Sequence, residues 1–292
     1  MALVHTTRFT LRYSDCDAYA HLNHAGYLRL MQEAAFEASA AAGYDLARYD
    51  GLGQIWLIRD TAVEFHTPLV YGDSAQITTW VADFQHVRSR RSYLIHRESD
   101  AVLAARAITD WAYLDRATLR PVPIPEAMTT VFEAGGPPPE QAPPRARFPA
   151  PPDPPAEVVC SPRRVEWRDV DPMGHTNNAV YASYMEEAAW AASEQHNWPM
   201  ARFQEAGLGL FLQALRIEYR LPALPGDHLE VYTYLSQVRR ASALRHYTVT
   251  RPSDGALLAR GLARMALVDL QTGRPRPFPP EMLADFAAHT AA

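Results

Sequence analysis

One stretch of this chain occurs twice, in the same order and at one constant distance. Each copy contains two aspartates, a histidine, an asparagine and a tyrosine: Asp15, Asp17, His21, Asn23 and Tyr27, then Asp169, Asp171, His175, Asn177 and Tyr181. Corresponding residues are 154 positions apart, as 171 − 17 gives, and the same register still holds where Asp115 meets Asp269. A repeat of this length has the size of a small domain rather than of a solenoid unit. The chain is therefore predicted to be a tandem duplication of one domain.

A proline-rich stretch separates the two copies, at residues 134–155. Proline has no backbone N–H to donate, so it continues neither a helix nor a central strand. The stretch is predicted to be a semi-rigid spacer, with a proline-rich docking ligand as the alternative. The expected organisation is an N-terminal domain at 1–133, the linker at 134–155 and a C-terminal domain at 156–292.

Composition narrows the function classes. With 292 residues, of which 48% are hydrophobic, the chain can bury two ordinary cores. Its net charge of −5 gives no general attraction to nucleic acid or to anionic membranes. No apolar run has membrane-spanning or signal-peptide length, and two cysteines do not form a disulfide framework. We expect a cytoplasmic protein without membrane insertion.

Each copy combines one helical pattern with several strand patterns. Apolar residues recur every three or four positions in 24–42 and in 178–196, directly after asparagines that favour the N-cap position. Alternating strand-like segments surround them: 9–13, 61–65, 75–81, 91–96 and 102–114 in the first copy, and 215–219, 229–234, 245–249 and 257–270 in the second. This order predicts an α+β fold in which an antiparallel sheet wraps around one long central helix. The alanine-rich face of that helix would let the sheet approach closely.

The repeated motif resembles that of the hotdog-fold thioesterases. Asp15-Cys16-Asp17, followed by Asn23 and Tyr27, resembles the signature of the 4-hydroxybenzoyl-CoA thioesterase-like group. The second copy, from Trp167 to Tyr181, is closer to the acyl-ACP thioesterases, which also carry two hotdog domains in one chain. The resemblance covers both halves and leaves out the linker. It implies two tandem hotdog domains that hydrolyse an acyl thioester and pair as an internal pseudo-dimer, with further homodimer formation left open.

The same resemblance implies roles for particular residues. The second aspartate of each pair, Asp17 and Asp171, would be the catalytic carboxylate. A backbone N–H at the helix start, at His24 and Asn178, would polarise the thioester carbonyl. In the acyl-ACP group the matched histidine and asparagine are also counted in or beside the site, and these roles would fall on His21, His175, Asn23 and Asn177. That group usually has an asparagine two residues after the catalytic aspartate, where this chain has Tyr19 and Met173, so a CoA ester is the favoured substrate.

These residue types suit the chemistry. Thioester hydrolysis needs a base or nucleophile and donors for an oxygen that gains negative charge. A helix N-terminus offers unpaired N–H groups and a partial positive charge, and one such donor contributes roughly 10²–10³ in rate. A carboxylate in the preceding loop can attack the carbonyl or deprotonate water, with general-base help of about 10²–10⁴. Both routes stay open, and neither requires a metal or a cofactor.

Each candidate also has a structural alternative. Asp15 and Asp169 are expected to brace the loop through backbone hydrogen bonds. His21 and His175 either orient the substrate or the aspartate, or are packed core histidines. Tyr27 and Tyr181 are expected to line a pocket or to lie in the core. Glu64 and Glu218 are expected to be solvated or paired residues on strands, with a catalytic role as the alternative. Asn23 and Asn177 are expected to cap the helices first and to serve the site second.

An arginine pair and a histidine pair each allow two interpretations. Arg91 and Arg245 belong to basic clusters after a strand, where they could bind CoA phosphates or simply face solvent. His21 and His24 have a spacing seen in metal sites, but the second copy has Asn178 in place of His24, so no metal is expected. The function predicted is acyl-CoA thioester hydrolysis within fatty acid metabolism. Acyl-carrier-protein hydrolysis, a hotdog hydratase with a histidine base, and non-catalytic acyl binding are the alternatives.

Overall fold

The computed structural model describes residues 3–135 and 138–292. Two positions of the predicted linker, 136 and 137, and the first two of the predicted N-terminal domain lie outside these ranges. The chain divides into two compact units, residues 1–146 and 147–292. The division falls inside the proline-rich stretch.

The N-terminal unit contains one long helix and a five-stranded antiparallel sheet. Its elements in chain order are β1 (His5–Thr10), α1 (His24–Ala41), α2 (Leu46–Leu52), β2 (Gln54–Phe65), β3 (Ser74–Gln85), β4 (Arg88–Arg97), β5 (Val102–Asp115) and α3 (Glu126–Glu133). The strands pair in the order β1-β3-β4-β5-β2. The strands β1 and β2 therefore lie at opposite edges of this unit's sheet.

The C-terminal unit repeats these elements. They are β6 (Val159–Arg164), α4 (Asn178–Gln195), α5 (Met200–Glu205), β7 (Leu208–Tyr219), β8 (His228–Ser236), β9 (Ser242–Arg251), β10 (Ala256–Asp269) and α6 (Pro280–Asp285). Their pairing order, β6-β8-β9-β10-β7, is that of the first unit shifted by one repeat. Even the strand registers repeat, since Val81 faces Arg91 and Leu235 faces Arg245. Each unit is thus an antiparallel sheet around a central helix, the hotdog arrangement implied by the resemblance.

The central helix of each unit begins at the predicted cap. The Asn23 and Asn177 side chains accept hydrogen bonds from the backbone N–H groups of Ala25 and Ala179, both at 2.9 Å. The buried face of α4 is mostly small, and β10 comes close to it at Gly261. A Cβ atom at Gly261 would lie 2.5 Å from the Met185 sulfur, so glycine permits this approach. The predicted close contact between helix and sheet is confirmed.

The structure differs from the sequence prediction at several short elements. The first strand lies at His5–Thr10, whereas alternation favoured 9–13; Tyr13–Asp15 instead form a 3₁₀ turn. The helices α2, α3, α5 and α6 were not predicted, because six to eight residues are too few for a clear period. The strands β2 and β7 start seven residues before the predicted segments, at Gln54 and Leu208.

The proline-rich stretch is attached to both units. Described residues 134–135 and 138–158 contain no helix or strand. On the N-terminal unit, Arg145 forms ion pairs with Asp83 of β3 and Asp110 of β5. On the C-terminal unit, the Phe148 ring lies under the guanidinium groups of Arg216 and Arg260, whose carbons are 5.4 and 4.6 Å from its centroid. Through these contacts Arg145 is held on the N-terminal unit and Phe148 on the C-terminal unit.

Candidate functional site

The motif of the C-terminal unit is a tight loop that ends at the start of α4. A 3₁₀ turn at Trp167–Asp169 leads into it, and a β-bridge between Val170 and Thr176 closes it. Within the loop, the Gly174 N–H donates to the Asp171 carbonyl at 2.9 Å, with Gly174 at φ +79°. This left-handed position is readily adopted by glycine. The loop therefore returns the chain so that Asp171 lies next to the helix start.

The Asp171 carboxylate is oriented by two hydrogen bonds. One oxygen accepts from the Met173 backbone N–H at 2.9 Å, and the other accepts from the Asn177 side-chain amide at 3.2 Å. The side chain of Asp171 is 14% exposed. A carboxylate held from both sides has a fixed direction while part of it still meets solvent.

Asn177 connects this carboxylate to the helix. Its amide nitrogen donates to Asp171, while its amide oxygen caps α4 through the Ala179 N–H. The next residue, Asn178, is the first of the helix, and its carbonyl accepts from the Tyr219 hydroxyl at 3.0 Å. Among the described residues, no acceptor is bonded to the Asn178 backbone N–H. An unpaired helix donor and a carboxylate are thus held together by one side chain.

His175 lies beside the same carboxylate. Its Nδ1 is 4.0 Å from an Asp171 oxygen and 3.3 Å from the Thr176 carbonyl oxygen. Its Nε2 is buried and has no hydrogen-bond partner in the part of the chain that the structure describes. With the proton on Nδ1, the ring donates to Thr176 and keeps an acceptor lone pair on Nε2. The predicted grouping of Asp171, His175 and Asn177 is present.

The motif of the N-terminal unit has the same loop. One Asp17 oxygen accepts from the backbone N–H groups of Tyr19 at 2.8 Å and His21 at 3.2 Å. Ala20 occupies the left-handed position, at φ +61°, where the second copy has Gly174. Burial lowers the pKa of His21, His24 lowers it further, and Asp17 opposes the shift. His21 is therefore neutral at pH 7, and the loop joins Asp17 to His21 just before the Asn23 cap of α1.

The first aspartate of each pair braces the loop, as expected. An Asp15 oxygen accepts from the Arg12 N–H at 2.8 Å, and an Asp169 oxygen accepts from the Glu166 N–H at 2.9 Å. Asp169 also accepts from the Tyr184 hydroxyl at 2.7 Å. The pKa of the neighbouring Cys16 is raised by burial and by Asp17 and Asp15, which disfavours a thiolate nucleophile.

The motif tyrosines are core residues. Tyr27 and Tyr181 are both 3% exposed. The Tyr181 hydroxyl accepts from the Ala223 N–H at 3.2 Å, and the Tyr27 ring packs edge-on against Phe65. They support the helix start from within, and a direct contact of either ring with substrate stays a prediction.

The strand glutamates differ between the halves. Glu64 is exposed, whereas Glu218 accepts from Arg220 at 2.8 Å and from Arg260 at 3.0 Å. Burial favours the neutral acid at Glu218, but the two arginines outweigh it and lower the pKa of Glu218. The solvated and paired alternatives thus apply to one residue each.

Arg91 and Arg245 are not with the motifs. They are 6% and 1% exposed, on the interior faces of β4 and β9. The solvent-facing alternative is therefore wrong for both. A substrate-binding role for them stays a prediction, restricted to a group that enters the interior. The exposed arginines of the same clusters, Arg239 and Arg240, lie on the turn between β8 and β9.

Taken together, each unit is a hotdog domain in which a loop aspartate lies beside the start of the central helix, and this arrangement defines a thioesterase-type site. The family model of the thioesterase-like superfamily matches residues 11–132 and 165–286. The chain belongs to this superfamily, with one copy of the family's domain in each half.

Two curated relatives illustrate the two forms of the family. The palmitoyl-acyl carrier protein thioesterase of Gossypium hirsutum is 26% identical over 220 residues, which cover 72% of this chain and 49% of the relative. The chain thus spans about half the length of that relative. The long-chain acyl-CoA thioesterase FadM of Escherichia coli is 28% identical over 112 residues, which cover 37% of this chain and 82% of FadM.

Solved structures share the fold over most of this chain. The 12:0-ACP thioesterase of Umbellularia californica superposes with a TM-score of 0.69 at 16% identity, covering 94% of each chain. An acyl-ACP thioesterase of Bacteroides thetaiotaomicron gives a TM-score of 0.69 at 16% identity, covering 90% of this chain and 97% of that one. These likenesses establish the fold. Among the described residues, no helix is long and apolar enough to cross a membrane.

Proposed function

We propose that this protein hydrolyses acyl thioesters, with Asp171 as the carboxylate that acts on the thioester and the Asn178 N–H as the donor to its carbonyl oxygen. The observation that carries the proposal is the Asn177 side chain, which joins the two groups. Hydrolysis adds water across the C–S bond and releases a carboxylic acid and a thiol. The corresponding groups in the other half are Asp17, Asn23 and His24.

The reaction needs charge stabilisation at one point and proton removal at another. Negative charge develops on the carbonyl oxygen when the carbon is attacked, and a helix-start N–H lowers the energy of that state most if it needs no reorientation. The Tyr219 hydroxyl bond to the Asn178 carbonyl fixes the orientation of the first helix residue. Asp171, held from both sides, is directed to take a proton from water or to attack the carbon itself.

His175 has a positioning role in this proposal. Its Nδ1 lies between Asp171 and the Thr176 carbonyl, and its unpartnered Nε2 can accept a hydrogen bond from an incoming water or substrate group. His21 takes the corresponding place in the first half. Its neutral ring is a donor on one nitrogen and an acceptor on the other.

The favoured substrate is an acyl-CoA, with an acyl-carrier-protein ester as the alternative. Relatives named for each substrate match this chain. Tyr19 and Met173, in place of the asparagine usual in the carrier-protein group, favour CoA. The arrangement of the halves as an internal pseudo-dimer, homodimer formation and a cytoplasmic location stay predictions, and analytical ultracentrifugation measures the assembly state directly.

The test is thiol release from a panel of acyl-CoA esters, from acetyl to palmitoyl and including benzoyl, beside palmitoyl-acyl carrier protein. The full-length chain is expected to release thiol, and the Asp17→Asn/Asp171→Asn double variant to retain at most about 1% of the rate. An unreduced rate in the double variant would remove both aspartates from the mechanism. Hydration of an enoyl-CoA without thiol release would instead favour the hydratase alternative. Tight acyl-CoA binding without either reaction would favour a binding protein.

A further inference from the structure

The C-terminal unit contains a cavity at the end of α4 that is far from the motif. Its volume is about 310 Å³, and its apolar walls include Leu210, Leu235, Val238, Met265, Phe278 and Phe286. Phe286 stacks on His196, which caps the C-terminus of α4, with ring centroids 5.0 Å apart. Asp171 and Asn177 lie at the other end of this 18-residue helix, which is roughly 27 Å long. The cavity thus lies at the opposite end of α4 from the Asp171 motif of its own unit.

The cavity arises from side-chain size. Its residues Leu210 and Val238 correspond to Trp56 and Phe84, since 210 − 154 is 56 and 238 − 154 is 84. In the N-terminal unit those aromatic rings pack with Tyr113, Met128 and Phe132 in one core cluster. The same backbone therefore carries large rings in one half and smaller side chains around open space in the other.

One charged side chain, Arg245, lines this apolar space. It is 1% exposed, and its Nε has no hydrogen-bond partner among the described residues. Its Nη1 reaches Thr233 Oγ1 at 3.4 Å and His289 Nε2 at 3.5 Å, both at the long limit of hydrogen bonding. The described residues that line the cavity include no Asp or Glu side chain. A buried guanidinium without a carboxylate partner is costly, and an anion beside it would offset that cost.

His289 defines the charge of that anion. Burial, Arg245 and His196 lower the pKa of His289 to about 3, against a hydrogen bond to the Glu157 carbonyl that raises it. The ring is therefore neutral at pH 7, and among the described residues that line the cavity only Arg245 carries a positive charge. A single guanidinium matches a monovalent carboxylate, which it can bind through two parallel hydrogen bonds. One guanidinium would neutralise only half of the charge of a phosphate dianion.

In the N-terminal unit the corresponding arginine, Arg91, lies beside the aromatic cluster. Arg91 contacts Thr79 at 3.4 Å, as Arg245 contacts Thr233, and its guanidinium carbon lies 5.8 Å from the Phe132 ring centroid. A cation over an aromatic ring gains some electrostatic stabilisation. The aromatic cluster thus occupies in one half the place that the cavity leaves open in the other.

We propose that this cavity binds a fatty carboxylate, with the carboxylate on Arg245 and the alkyl chain along the walls formed by Leu210, Val238 and Met265. The inference rests on the C-terminal unit alone and is independent of the thioesterase proposal. It adds a ligand site to the half that carries Asp171.

The test is isothermal titration calorimetry with sodium decanoate, below its micellar concentration, on the full-length chain freed of lipid. To keep the motif out of the measurement, the same titration uses the Asp17→Asn/Asp171→Asn variant, which is expected to bind equally well. Affinity is expected to rise about fourfold for each methylene from hexanoate to decanoate, as each is buried.

Two variants separate the head group from the chain. Arg245→Met keeps the side-chain length and is expected to weaken decanoate binding about tenfold or more while leaving decanol binding intact. Val238→Phe introduces the residue of the other half and is expected to weaken both ligands. Arg91→Met is the matched control and should bind decanoate as the unaltered chain does.

Three results would overturn the proposal: no heat with decanoate for the unaltered chain, equal losses in Arg91→Met and Arg245→Met, or loss of binding in the double aspartate variant. Circular dichroism and thermal unfolding establish that each variant is folded. If Arg245→Met does not fold, Val238→Phe and the chain-length series still decide the matter.

Discussion

The two copies of the motif share a loop but differ in how the first helix residue is held. In the C-terminal half, Tyr219 donates a hydrogen bond to the Asn178 carbonyl. In the N-terminal half the corresponding residues are Phe65 and His24, whose rings meet edge to plane with centroids 5.1 Å apart. A hydrogen bond to the backbone carbonyl restrains the first helix residue more tightly than an aromatic contact between side chains does. The comparison teaches that one backbone can carry a motif with different degrees of preorganisation, which is the property that electrostatic catalysis depends on.

The largest expected effect separates the two aspartates. Asp171→Asn is expected to lower kcat about 100-fold or more, because the amide cannot take a proton or attack the carbonyl. Asp17→Asn should cost less, because its helix start lacks the hydroxyl bond that Tyr219 provides. Steady-state thiol release on the best acyl-CoA measures both. Equal losses would contradict the predicted difference between the halves, and a larger loss for Asp17→Asn would reverse it.

The next effect tests the asparagine that joins carboxylate and helix. Asn177→Ser keeps a good N-cap residue but removes the amide bonded to Asp171. Without that hydrogen bond the Asp171 carboxylate is misplaced, which is expected to lower kcat roughly 10- to 100-fold. The free energy of unfolding should change little. Asn23→Ser is the matched variant and should have the smaller effect on kcat. A loss of stability that accompanies the loss of rate would make Asn177 a cap only.

The proline-rich stretch is attached to the N-terminal unit by ion pairs of Arg145 and to the C-terminal unit by the Phe148 ring. Burial opposes ionisation of Asp83, but Arg90 and Arg145 outweigh it and lower the pKa of Asp83. A lowered folded-state pKa stabilises the fold above the unfolded value, about 3.9, and that contribution is lost as the pH falls through the folded value. Arg145→Met should therefore cost about 1–2 kcal/mol at pH 7 and progressively less below pH ~4.

Phe148→Ala is the comparison variant for this segment. It removes the ring below Arg216 and Arg260, a contact worth about 1 kcal/mol. Since both guanidinium groups stay charged, its effect should not change between pH 7 and pH ~3. Urea unfolding at several pH values measures both variants, and a pH-independent cost for Arg145→Met would contradict the ionic attachment.

The smallest effect concerns the left-handed residue of each loop. Ala20 adopts φ +61° and Gly174 adopts φ +79°. The two substitutions should change the free energy of unfolding in opposite directions. Gly174→Ala should destabilise the fold by about 1 kcal/mol, and Ala20→Gly should stabilise it by less than that. Urea midpoints with unchanged slopes measure this. Destabilisation by Ala20→Gly would show that chain entropy outweighs strain at that loop.

The sequence predicted the duplication, both long helices and their caps, because each rests on a repeated or periodic pattern. It did not predict α3 and α6, although Pro125 and Pro279 precede them and apolar residues four apart, Met128 and Phe132, mark a buried face. Proline at a helix start is a usable signal.

Among the candidate site residues, the burial of Arg91 could have been predicted from the sequence. Arg91, Tyr93 and Ile95 alternate on one strand face, and all three are buried. The cavity near Arg245 was not available, because it depends on the sizes of side chains from separate strands and from α6. Likewise, the Tyr219 bond to Asn178 joins residues from β7 and α4 that no local pattern relates.

The two tasks of Asn177 have an evolutionary consequence. Because one amide both caps the helix and holds the aspartate, selection for a stable fold preserves it even in a copy that has stopped turning over substrate. Drift in such a copy would start at a group with a single task, and the unbonded Nε2 of His175 is that kind of group. Among descendants of this duplication, replacement of the histidine before the asparagine would date the silencing of one half.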